Sequence, residues 1–371
     1  MNDRQKIRYA VVGLGWFAQD AALPAFANAE NSELVALVSG DRIKLEELGK
    51  MYEIDHTYLY EEYDNLLNSG KIDAVYIALP NHLHCDYTVR AARAGIHVLC
   101  EKPMAVTVDE CQAMIEAASD HQIKLMIAYR LHLETANLAA VEVLKSGQIG
   151  EPRIFNSIFT QQTIAGTIRL QQSTGGGTLE DIGIYCINAA RYLFQSEPTV
   201  VYATSASDGE QRFAEVAEMT SVVMHFPQDR LATFTCSFGA APVSTYQVLG
   251  TKGNLRVTPA YTSQGAIEHY LTIEGKTQQH SFGSHGQLAA VFVYFSDCIL
   301  HDREPEPSGR EGSIDVQIIR ALYESIATNR SIRLTQIHSR YQRPNQAQII
   351  ELPPIPQQPK MVRVDAPFHK S

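Results

Sequence analysis

The stretch Leu99-Cys100-Glu101-Lys102-Pro103 contains a lysine at a place in the chain where a side chain can reach a ligand. It overlaps the end of an apolar run, His97-Val98-Leu99, that predicts a buried strand. In open parallel sheets ligands bind at the carboxyl ends of the strands, so Lys102 is expected to point into a crevice. Proline then ends the strand, because it cannot donate a hydrogen bond to the sheet. For the short motif alone, a solvated surface cation is an equally good interpretation.

A second stretch combines a carboxylate with a phenol. Gly175-Gly176-Gly177 end a loop, and a helix is predicted to run on to about Phe194. Asp181 and Tyr185 are four residues apart and would therefore share one face of that helix. The carboxylate would orient the phenol, and an ammonium such as that of Lys102 nearby would favour a phenolate that accepts a proton. The alternative is a structural aspartate that caps the loop and a tyrosine packed in the core.

The run Gly13-Leu14-Gly15-Trp16-Phe17-Ala18 follows an apolar strand candidate, Ile7 to Val12. This is G-x-G-x-x-A in a strand-turn-helix context, which is typical of dinucleotide binding. The first glycine permits the tight turn, the second lets the backbone approach a pyrophosphate, and the small last residue permits close packing. The N–H groups at the start of the helix would face the phosphates. A turn with no ligand is the alternative.

The next predicted strand, Leu34 to Val38, ends at Ser39-Gly40-Asp41, where an acid would hold the ribose 2′-hydroxyl of NAD. Ser39 occupies that place. A hydroxyl followed by Arg42 and Lys44 suits a 2′-phosphate, because two cations and a donor can neutralise it. We therefore expect NADP rather than NAD. In the alternative, Asp41 binds the ribose and both cations are solvated on the first helical turn.

A polar loop, Pro80-Asn81-His82-Leu83-His84, follows Leu79 at the end of another predicted strand. Side chains at such a strand end can reach the nicotinamide ribose, and Asn81 is the cofactor candidate there. The two histidines could be metal ligands, but no third ligand lies nearby at a recognisable spacing. We therefore expect no metal.

Strand and helix signals alternate up to residue 128, which predicts a parallel sheet. A helix from about Leu133 to Ser146 and a strand from Ile154 to Gln161 follow, and three hairpin signals then predict a mostly antiparallel sheet. The hairpin signals are Pro227-Gln228-Asp229-Arg230, Gly250-Thr251-Lys252-Gly253 and Glu274-Gly275-Lys276. One face of that sheet would pack against helices, and the other would meet solvent or another subunit. Further helices are predicted at Gln287 to Leu300 and Ile314 to Ala327.

The expected fold class is therefore α/β, with two domains and a tail. A dinucleotide-binding domain would span residues 1–128, and a substrate-binding and oligomerisation domain with a predominantly antiparallel open sheet would span residues 129–340. Residues 341–371 are too rich in proline for a helix or a central strand. That tail could be disordered or could lie as an extended arm across a neighbouring subunit.

Composition excludes several classes of partner. The chain of 371 residues has 31 Lys and Arg against 41 Asp and Glu, and its net charge of −10 disfavours nucleic acid and anionic membranes. Six singly placed cysteines with no C-x-x-C favour reduced thiols and a cytoplasmic protein. No signal peptide is expected, because the N-terminus leads directly into a predicted strand without a long apolar region. No membrane span is expected, because no uninterrupted apolar run of about 18 residues occurs.

In combination, these motifs resemble the Gfo/Idh/MocA oxidoreductases, and most closely the branch of glucose-fructose oxidoreductase and NADP-dependent sugar dehydrogenases. The resemblance covers residues 7 to about 333. It rests on Gly13-x-Gly15, Pro80-Asn81-His82, Glu101-Lys102-Pro103, Tyr129-Arg130 and Gly175-Gly176-Gly177-x-x-x-Asp181-x-Gly183-x-Tyr185. Most members of the wider family have histidine where Tyr185 stands, whereas this branch and dimeric dihydrodiol dehydrogenase have tyrosine. The Ser39-Gly40-Asp41 run is likewise similar to that of NADP-binding members.

The resemblance implies a Rossmann domain, a C-terminal α/β domain, dimers or tetramers formed through its sheet, and hydride transfer at a sugar or related alcohol. Lys102 and Tyr185 would handle the reacting oxygen and its proton, with Asp181 orienting. Arg130 and Arg169 would join these three at the substrate. The predicted cofactor-binding residues are Gly13, Gly15, Trp16, Phe17, Ser39, Gly40, Arg42, Lys44, Leu79, Asn81, His84, Glu101 and Lys102.

The leading functional hypothesis is an NADP-dependent aldose 1-dehydrogenase, in which Tyr185, helped by Lys102, removes the C1 hydroxyl proton as hydride leaves C1. The alternatives are a cyclic polyol or trans-dihydrodiol dehydrogenase, and sugar exchange of the glucose-fructose type. The sequence departs from the periplasmic glucose-fructose enzyme in lacking an export signal, which puts that exchange in doubt. A non-catalytic NADP-sensing regulator on the same fold is the alternative from another class.

Overall fold

The computed structural model describes residues 6–335, 343–354 and 360–368, and these residues form two β-sheets, each in its own unit. The first unit comprises the described residues within Met1–Arg130, His285–Ser313 and Ile350–Ala366. The second comprises those within Leu131–Ser284, Ile314–Ile349 and Pro367–Ser371.

The sheet of the first unit has six described strands, all parallel, in the order β3-β2-β1-β4-β5-β6. These are β1 Ile7–Val12, β2 Ser32–Val38, β3 His56–Tyr58, β4 Ala74–Ile77, β5 His97–Cys100 and β6 Leu125–Ile127. This is the strand order of dinucleotide-binding folds, with the chain reversing direction across the sheet between β1 and β4. The predicted parallel sheet is confirmed.

Three of the described α-helices, those that follow Asp41, Thr107 and Glu134, begin at a residue whose side chain caps the first turn. The described helices are α1 Leu23–Ala25, α2 Arg42–Tyr52, α3 Tyr63–Leu67, α4 His84–Arg93, α5 Val108–Asp120, α6 Thr135–Lys145, α7 Ile184–Phe194, α8 Gln287–Leu300 and α9 Gly309–Thr328. At α5, Thr107 Oγ1 accepts from Glu110 N at 3.2 Å while Glu110 Oε2 accepts from Thr107 N at 2.9 Å. The capping box predicted there is present.

Shorter helical segments connect these elements. Described 3₁₀ turns lie at Phe26–Asn28, Tyr60–Glu62, Asn81–Leu83, Arg130–Leu133, Ile168–Leu170, Gln172–Thr174, Gln211–Phe213, Pro227–Asp229 and Gln346–Gln348. Two turns, Ala18–Ala22 and Leu179–Gly183, are π-helical. Both π-helical turns follow glycine-rich stretches that the sequence analysis singled out.

Helix α8 belongs to the first unit, although its place in the chain put it in the expected second domain. The ring of Phe292 lies 5.4 Å from that of Tyr9 in β1 and 5.3 Å from that of Tyr76 in β4. The hydroxyls of Tyr9 and Ser296 are 2.8 Å apart. The apolar face of α8 is therefore buried on the parallel sheet.

The sheet of the second unit has nine described strands in the order β14-β13-β12-β11-β7-β10-β9-β8-β15. They are β7 Pro152–Thr160, β8 Val200–Ala206, β9 Met219–Phe226, β10 Arg230–Ser237, β11 Val243–Gly250, β12 Gly253–Thr258, β13 Ile267–Ile273, β14 Lys276–Phe282 and β15 Ile332–Arg333. The three predicted hairpins are present as β9–β10, β11–β12 and β13–β14. The pair β7–β10 is parallel and all other described pairs are antiparallel. The predominantly antiparallel sheet is confirmed.

Alternate residues of β7 face opposite sides of this sheet. Phe155 and Ser157 are buried on the side that contacts α7, whereas Ile154 and Ile158 are 40% and 45% exposed on the other. This is the pattern of a sheet with one packed face.

The described part of the predicted tail lies against its own chain. Val362 N donates to Gln19 Oε1 at 2.8 Å in the first unit, and Ile164 N donates to Pro367 O at 2.9 Å in the second. Residues 341, 342, 355–359 and 369–371 of the tail lie outside the described residues. Within the described ranges, no helix is both long enough and apolar enough to cross a bilayer.

Candidate active site

The turn after β1 brings the ends of two neighbouring strands into close contact. Gly13 has a φ of +95°, and a Cβ atom on it would lie 2.5 Å from the carbonyl oxygen of Ala78, just after β4. Only glycine fits that position. A Cβ on Gly15, in contrast, would meet no atom within 4 Å. Trp16 and Phe17 then lead into the π-helical turn Ala18–Ala22.

The segment after β2 gathers charged groups at the start of α2. Ser39 is buried and its Oγ accepts from Asp41 N at 3.2 Å. Asp41 caps α2, accepting from Lys44 N at 3.1 Å, and its other oxygen accepts from Arg363 Nε at 2.8 Å. The Lys44 N–H and the charge of Arg363 lower the pKa of Asp41, while burial lowers the pKa of the Lys44 ammonium.

The remaining two residues of this segment differ in their surroundings. Gly40 lies against the ring of Tyr60, which a Cβ would approach to 3.1 Å. Arg42 is exposed in the first turn of α2. Ser39, Gly40, Arg42 and Lys44 remain predicted contacts of the ribose 2′-phosphate of NADP.

His84 joins the loop after β4 to the turn after β5. Its Nε2 lies 2.9 Å from Leu79 O and its Nδ1 lies 2.9 Å from Pro103 O. Burial lowers the pKa of His84, although the contacts with the two carbonyl groups oppose that shift. Both ring nitrogens face backbone carbonyls, so this side chain holds the Lys102-Pro103 turn in place. Asn81 begins the 3₁₀ turn that precedes α4.

Glu101 and Lys102 lie directly after β5, and the peptide bond between Lys102 and Pro103 is cis. Glu101 Oε1 accepts from the hydroxyl of Tyr76 at 2.6 Å, and its Oε2 lies 3.3 Å from Lys102 N. Burial raises the pKa of Glu101 against the hydrogen bond from Tyr76 and the positive charges of Lys102 and Arg130. Arg130 itself is buried and donates to the side chain of Gln287.

In the second unit, the glycine loop and Arg169 are packed tightly together. A Cβ on Gly176 would lie 2.5 Å from the carbonyl oxygens of both Ile168 and Arg169. This close approach packs the glycine loop against the segment that carries Arg169. Arg169 Nε donates to Asp181 Oδ2 at 2.9 Å, and Gln161 Nε2 donates to the same oxygen at 3.2 Å. The structure therefore brings Arg169 and Asp181 together.

Asp181 lies in the π-helical turn Leu179–Gly183, whereas Tyr185 lies in the α-helix that follows. The helix predicted to contain both residues is therefore not one continuous α-helix, because hydrogen bonds in a π-helical turn join residues i and i+5 rather than i and i+4. Tyr185 is half-buried, and its ring lies 5.6 Å from that of Phe159 and 5.9 Å from that of Tyr261. The phenol is thus held by aromatic packing.

A buried polar network that includes two residues of α7 was not anticipated from the sequence. Asn188 Oδ1 lies 2.7 Å from His132 Nε2, and Asn188 Nδ2 donates to Asp315 Oδ2 at 3.0 Å. Arg191, which is fully buried, pairs with Asp315 and Glu197 at 2.5 Å each. Although burial opposes it, Arg191 lowers the pKa of Glu197. Polar residues inside the otherwise apolar α7 are the signal that could have revealed this network.

Among the residues that the structure describes, no group of three or more His, Cys, Asp or Glu side chains is arranged to hold a metal ion. All six cysteines are described and are free thiols.

Two family models match this chain. Residues 7–129 match an oxidoreductase family with an NAD-binding Rossmann fold, and residues 137–256 match the GFO/IDH/MocA C-terminal domain. Both matches fall on the regions that carry the predicted site residues.

Individual relatives extend the similarity over most of the chain. D-xylose 1-dehydrogenase (NADP(+)) of Haloarcula marismortui is 36% identical over 336 residues, covering 88% of this chain and 93% of that protein. The structure of aldose-aldose oxidoreductase from Caulobacter crescentus, complexed with glycerol, is 37% identical with a TM-score of 0.85, covering 89% and 100%. A 3-ketoreductase from Actinomadura kijaniata, in complex with NADP and TDP-benzene, is 26% identical with a TM-score of 0.78, covering 87% and 98%.

Proposed function

The chain belongs to the Gfo/Idh/MocA family of oxidoreductases, and from that premise we propose that it oxidises an aldose at C1 by hydride transfer to NADP. The observation that carries this proposal is the 36% identity to an NADP(+) D-xylose 1-dehydrogenase over 88% of the chain. The resemblance drawn from the motifs is confirmed at the level of the family. The expectation of NADP agrees with the cofactor named for that relative.

The residues of the first unit fit a dinucleotide. Open space beside Gly15 leaves room for a pyrophosphate, and the close contact at Gly13 holds the turn against the neighbouring strand. When bound, NADP supplies a hydride acceptor at the nicotinamide. The residues proposed to hold it are Gly13, Gly15, Trp16, Phe17, Ser39, Gly40, Arg42, Lys44, Leu79, Asn81, Glu101 and Lys102, with His84 acting through the loop that it supports.

The chemistry of this chain's own residues is proton transfer and charge stabilisation. Lys102 would hold the C1 oxygen and stabilise negative charge as it develops there. Tyr185 would accept the proton of the C1 hydroxyl while the C1–H bond breaks with its electron pair, so that the aldose becomes a lactone. Asp181, held by Arg169 at 2.9 Å, would position the substrate, with Arg130 as a further contact.

The experiment that tests this function is direct. Purified protein is mixed with NADP or NAD and with pentoses, hexoses, inositols and trans-diols, and reduced nicotinamide is followed by absorbance. We expect turnover with an aldose and NADP, and formation of the corresponding lactone. Turnover only with inositols or trans-diols would mean that the substrate is a cyclic polyol or a dihydrodiol and not an aldose. Binding of NADP without turnover on any alcohol would support a regulator instead.

A second candidate is the transfer of hydride between two sugars, which the similarity to aldose-aldose oxidoreductase favours. In that reaction the lactone forms from one aldose, and the reduced cofactor returns its hydride to a second aldose, which becomes an alditol. Product analysis with catalytic amounts of NADP distinguishes the two. Alditol formed in equal amount to the acid product indicates exchange, and alditol absent indicates a simple dehydrogenase.

We also propose that the protein forms a homodimer or homotetramer through the exposed face of its nine-stranded sheet. Ile154 and Leu231 are paired across β7 and β10 and are 40% and 37% exposed, and Ile158 and Val243 on the same sheet are 45% and 44% exposed. Apolar side chains gathered on one sheet face are typical of an interface.

The six thiols are those of a protein in a reducing compartment, for which we propose the cytoplasm.

Replacing Ile158 by Asp should weaken this assembly, because a carboxylate would be buried without a partner at the centre of the sheet. Sedimentation equilibrium should show a loss of at least about tenfold in association, since burying one unpaired charge costs several kcal/mol. Ile43→Asp is the matched control, since Ile43 is 49% exposed in α2 of the other unit. A monomeric wild-type protein, or equal effects of both variants, would contradict the proposed interface.

A further inference from the structure

The C-terminal arm, here the described residues 360–366, is joined to the glycine turn. The side-chain amide of Gln19 accepts from Val362 N at 2.8 Å and donates to Val362 O at 3.1 Å. The same amide nitrogen donates to Leu14 O, inside the turn, at 2.9 Å. Gln19 and Val362 are 1% and 2% exposed. The arm is therefore built into the segment that the first unit would use to bind a pyrophosphate.

The next residue of the arm, Arg363, reaches the end of β2. Its Nε donates to Asp41 Oδ2 at 2.8 Å, while Asp41 Oδ1 accepts from Lys44 N. Both carboxylate oxygens of Asp41 are therefore engaged. The positive charge of Arg363 also contributes to the lowered pKa of Lys44, after the larger effect of burial. Asp41, Lys44 and Arg363 thus form one electrostatic cluster.

The charge of Asp41 matters because of its position. An acid at the end of this strand would hold the 2′-hydroxyl of NAD, and it would repel the 2′-phosphate of NADP. A guanidinium paired with the carboxylate offsets that repulsion, so the cluster of Asp41, Lys44 and Arg363 has a net positive charge. The guanidinium that pairs with Asp41 belongs to Arg363, which is 322 positions away in the chain.

We propose that Arg363 is a specificity residue for NADP, and that it acts by cancelling the charge of Asp41 beside the 2′-phosphate. This inference rests on the proposed function, since it needs NADP as the cofactor. Arg363 is a positioning and charge-balancing residue, distinct from the cations Arg42 and Lys44 that lie on α2 itself. The C-terminal arm thereby becomes part of the cofactor site.

The test is a double-mutant cycle in the full-length protein, with binding of NADPH and NADH measured by fluorescence titration. Arg363→Ala should weaken NADPH binding about three- to fivefold and NADH binding less than about twofold, the modest size reflecting a half-exposed ion pair. Asn is also a good helix cap, so Asp41→Asn removes the charge and keeps the start of α2. In that background, Arg363→Ala should weaken NADPH less than about twofold, because no charge is left to cancel.

Three outcomes would overturn the inference. Equal losses for NADPH and NADH would mean that Arg363 only fastens the arm, and no loss for either would remove it from the site. An undiminished loss in the Asp41→Asn background would mean that Arg363 does not act through Asp41. Arg93→Ala, at an exposed arginine at the end of α4, is the control for loss of a surface charge. Wild-type protein that binds NADH as tightly as NADPH would instead overturn the proposed cofactor.

Discussion

Replacing Tyr185 by Phe should lower kcat for aldose oxidation by about 10²- to 10⁴-fold, the usual contribution of a positioned general acid or base. The substitution removes one oxygen atom. It should leave NADPH affinity within about twofold of wild type, because Tyr185 is not among the residues proposed to bind the cofactor. The loss should therefore appear in kcat at saturating cofactor.

The structure makes this substitution unusually clean. The ring of Tyr185 packs edge-on against Phe159 at 5.6 Å and lies 5.9 Å from the ring of Tyr261. Phenylalanine preserves both of these contacts, so α7 and its position on the sheet should be retained. A thermal midpoint close to that of wild type would confirm that only the hydroxyl has been lost.

Tyr202→Phe is the matched control. Tyr202 lies in β8 of the same unit, and its hydroxyl donates to Asn329 Oδ1 at 2.8 Å. That variant should keep kcat within about twofold, because its phenol is outside the proposed site. Equal kcat for Tyr185→Phe and wild type would remove the phenol from the mechanism. A primary isotope effect with a C1-deuterated aldose should also be larger in Tyr185→Phe, because the chemical step then limits turnover.

Much of the fold follows from local patterns. The capping box at Thr107 predicts the first residue of α5, and three turn sequences predict three antiparallel pairs. The parallel pairing of β7 with β10 has no such signal, because the two strands are far apart in the chain and joined by no single turn. The assignment of α8 to the first unit could not be predicted from the sequence either. Its periodicity predicts an apolar face and does not specify which sheet covers it.

The candidate site divides in the same way. Residues at strand ends and glycine turns, such as Gly13 and Lys102, are recognisable because backbone geometry restricts what can stand there. Their partners are not. Arg363 pairs with Asp41, 322 positions away in the chain. The π-helical turn at Asp181 interrupts the helix that the sequence predicts to contain both Asp181 and Tyr185. Contacts of that kind depend on tertiary packing.

Replacing Lys102 by Met should lower kcat/KM by about 10²- to 10³-fold, because removing one donor to a developing oxyanion costs about 3 to 4 kcal/mol. The turn that carries Lys102 is held by other groups. Glu101 is bonded to Tyr76 at 2.6 Å, and His84 lies 2.9 Å from Pro103 O. Methionine should therefore fold in place of lysine and remove the charge alone.

Lys50→Met, at an exposed lysine in the last turn of α2, controls for a lost surface charge and should keep kcat/KM within about twofold. An equal effect of the two variants would contradict the role of Lys102. The double variant Lys102→Met with Tyr185→Phe gives the sharper measurement. If both groups act on one oxygen, the combined loss should be close to that of the worse single variant, because residues that act as a unit are not additive. A loss equal to the product of the two single losses would mean that the ammonium and the phenol serve separate steps.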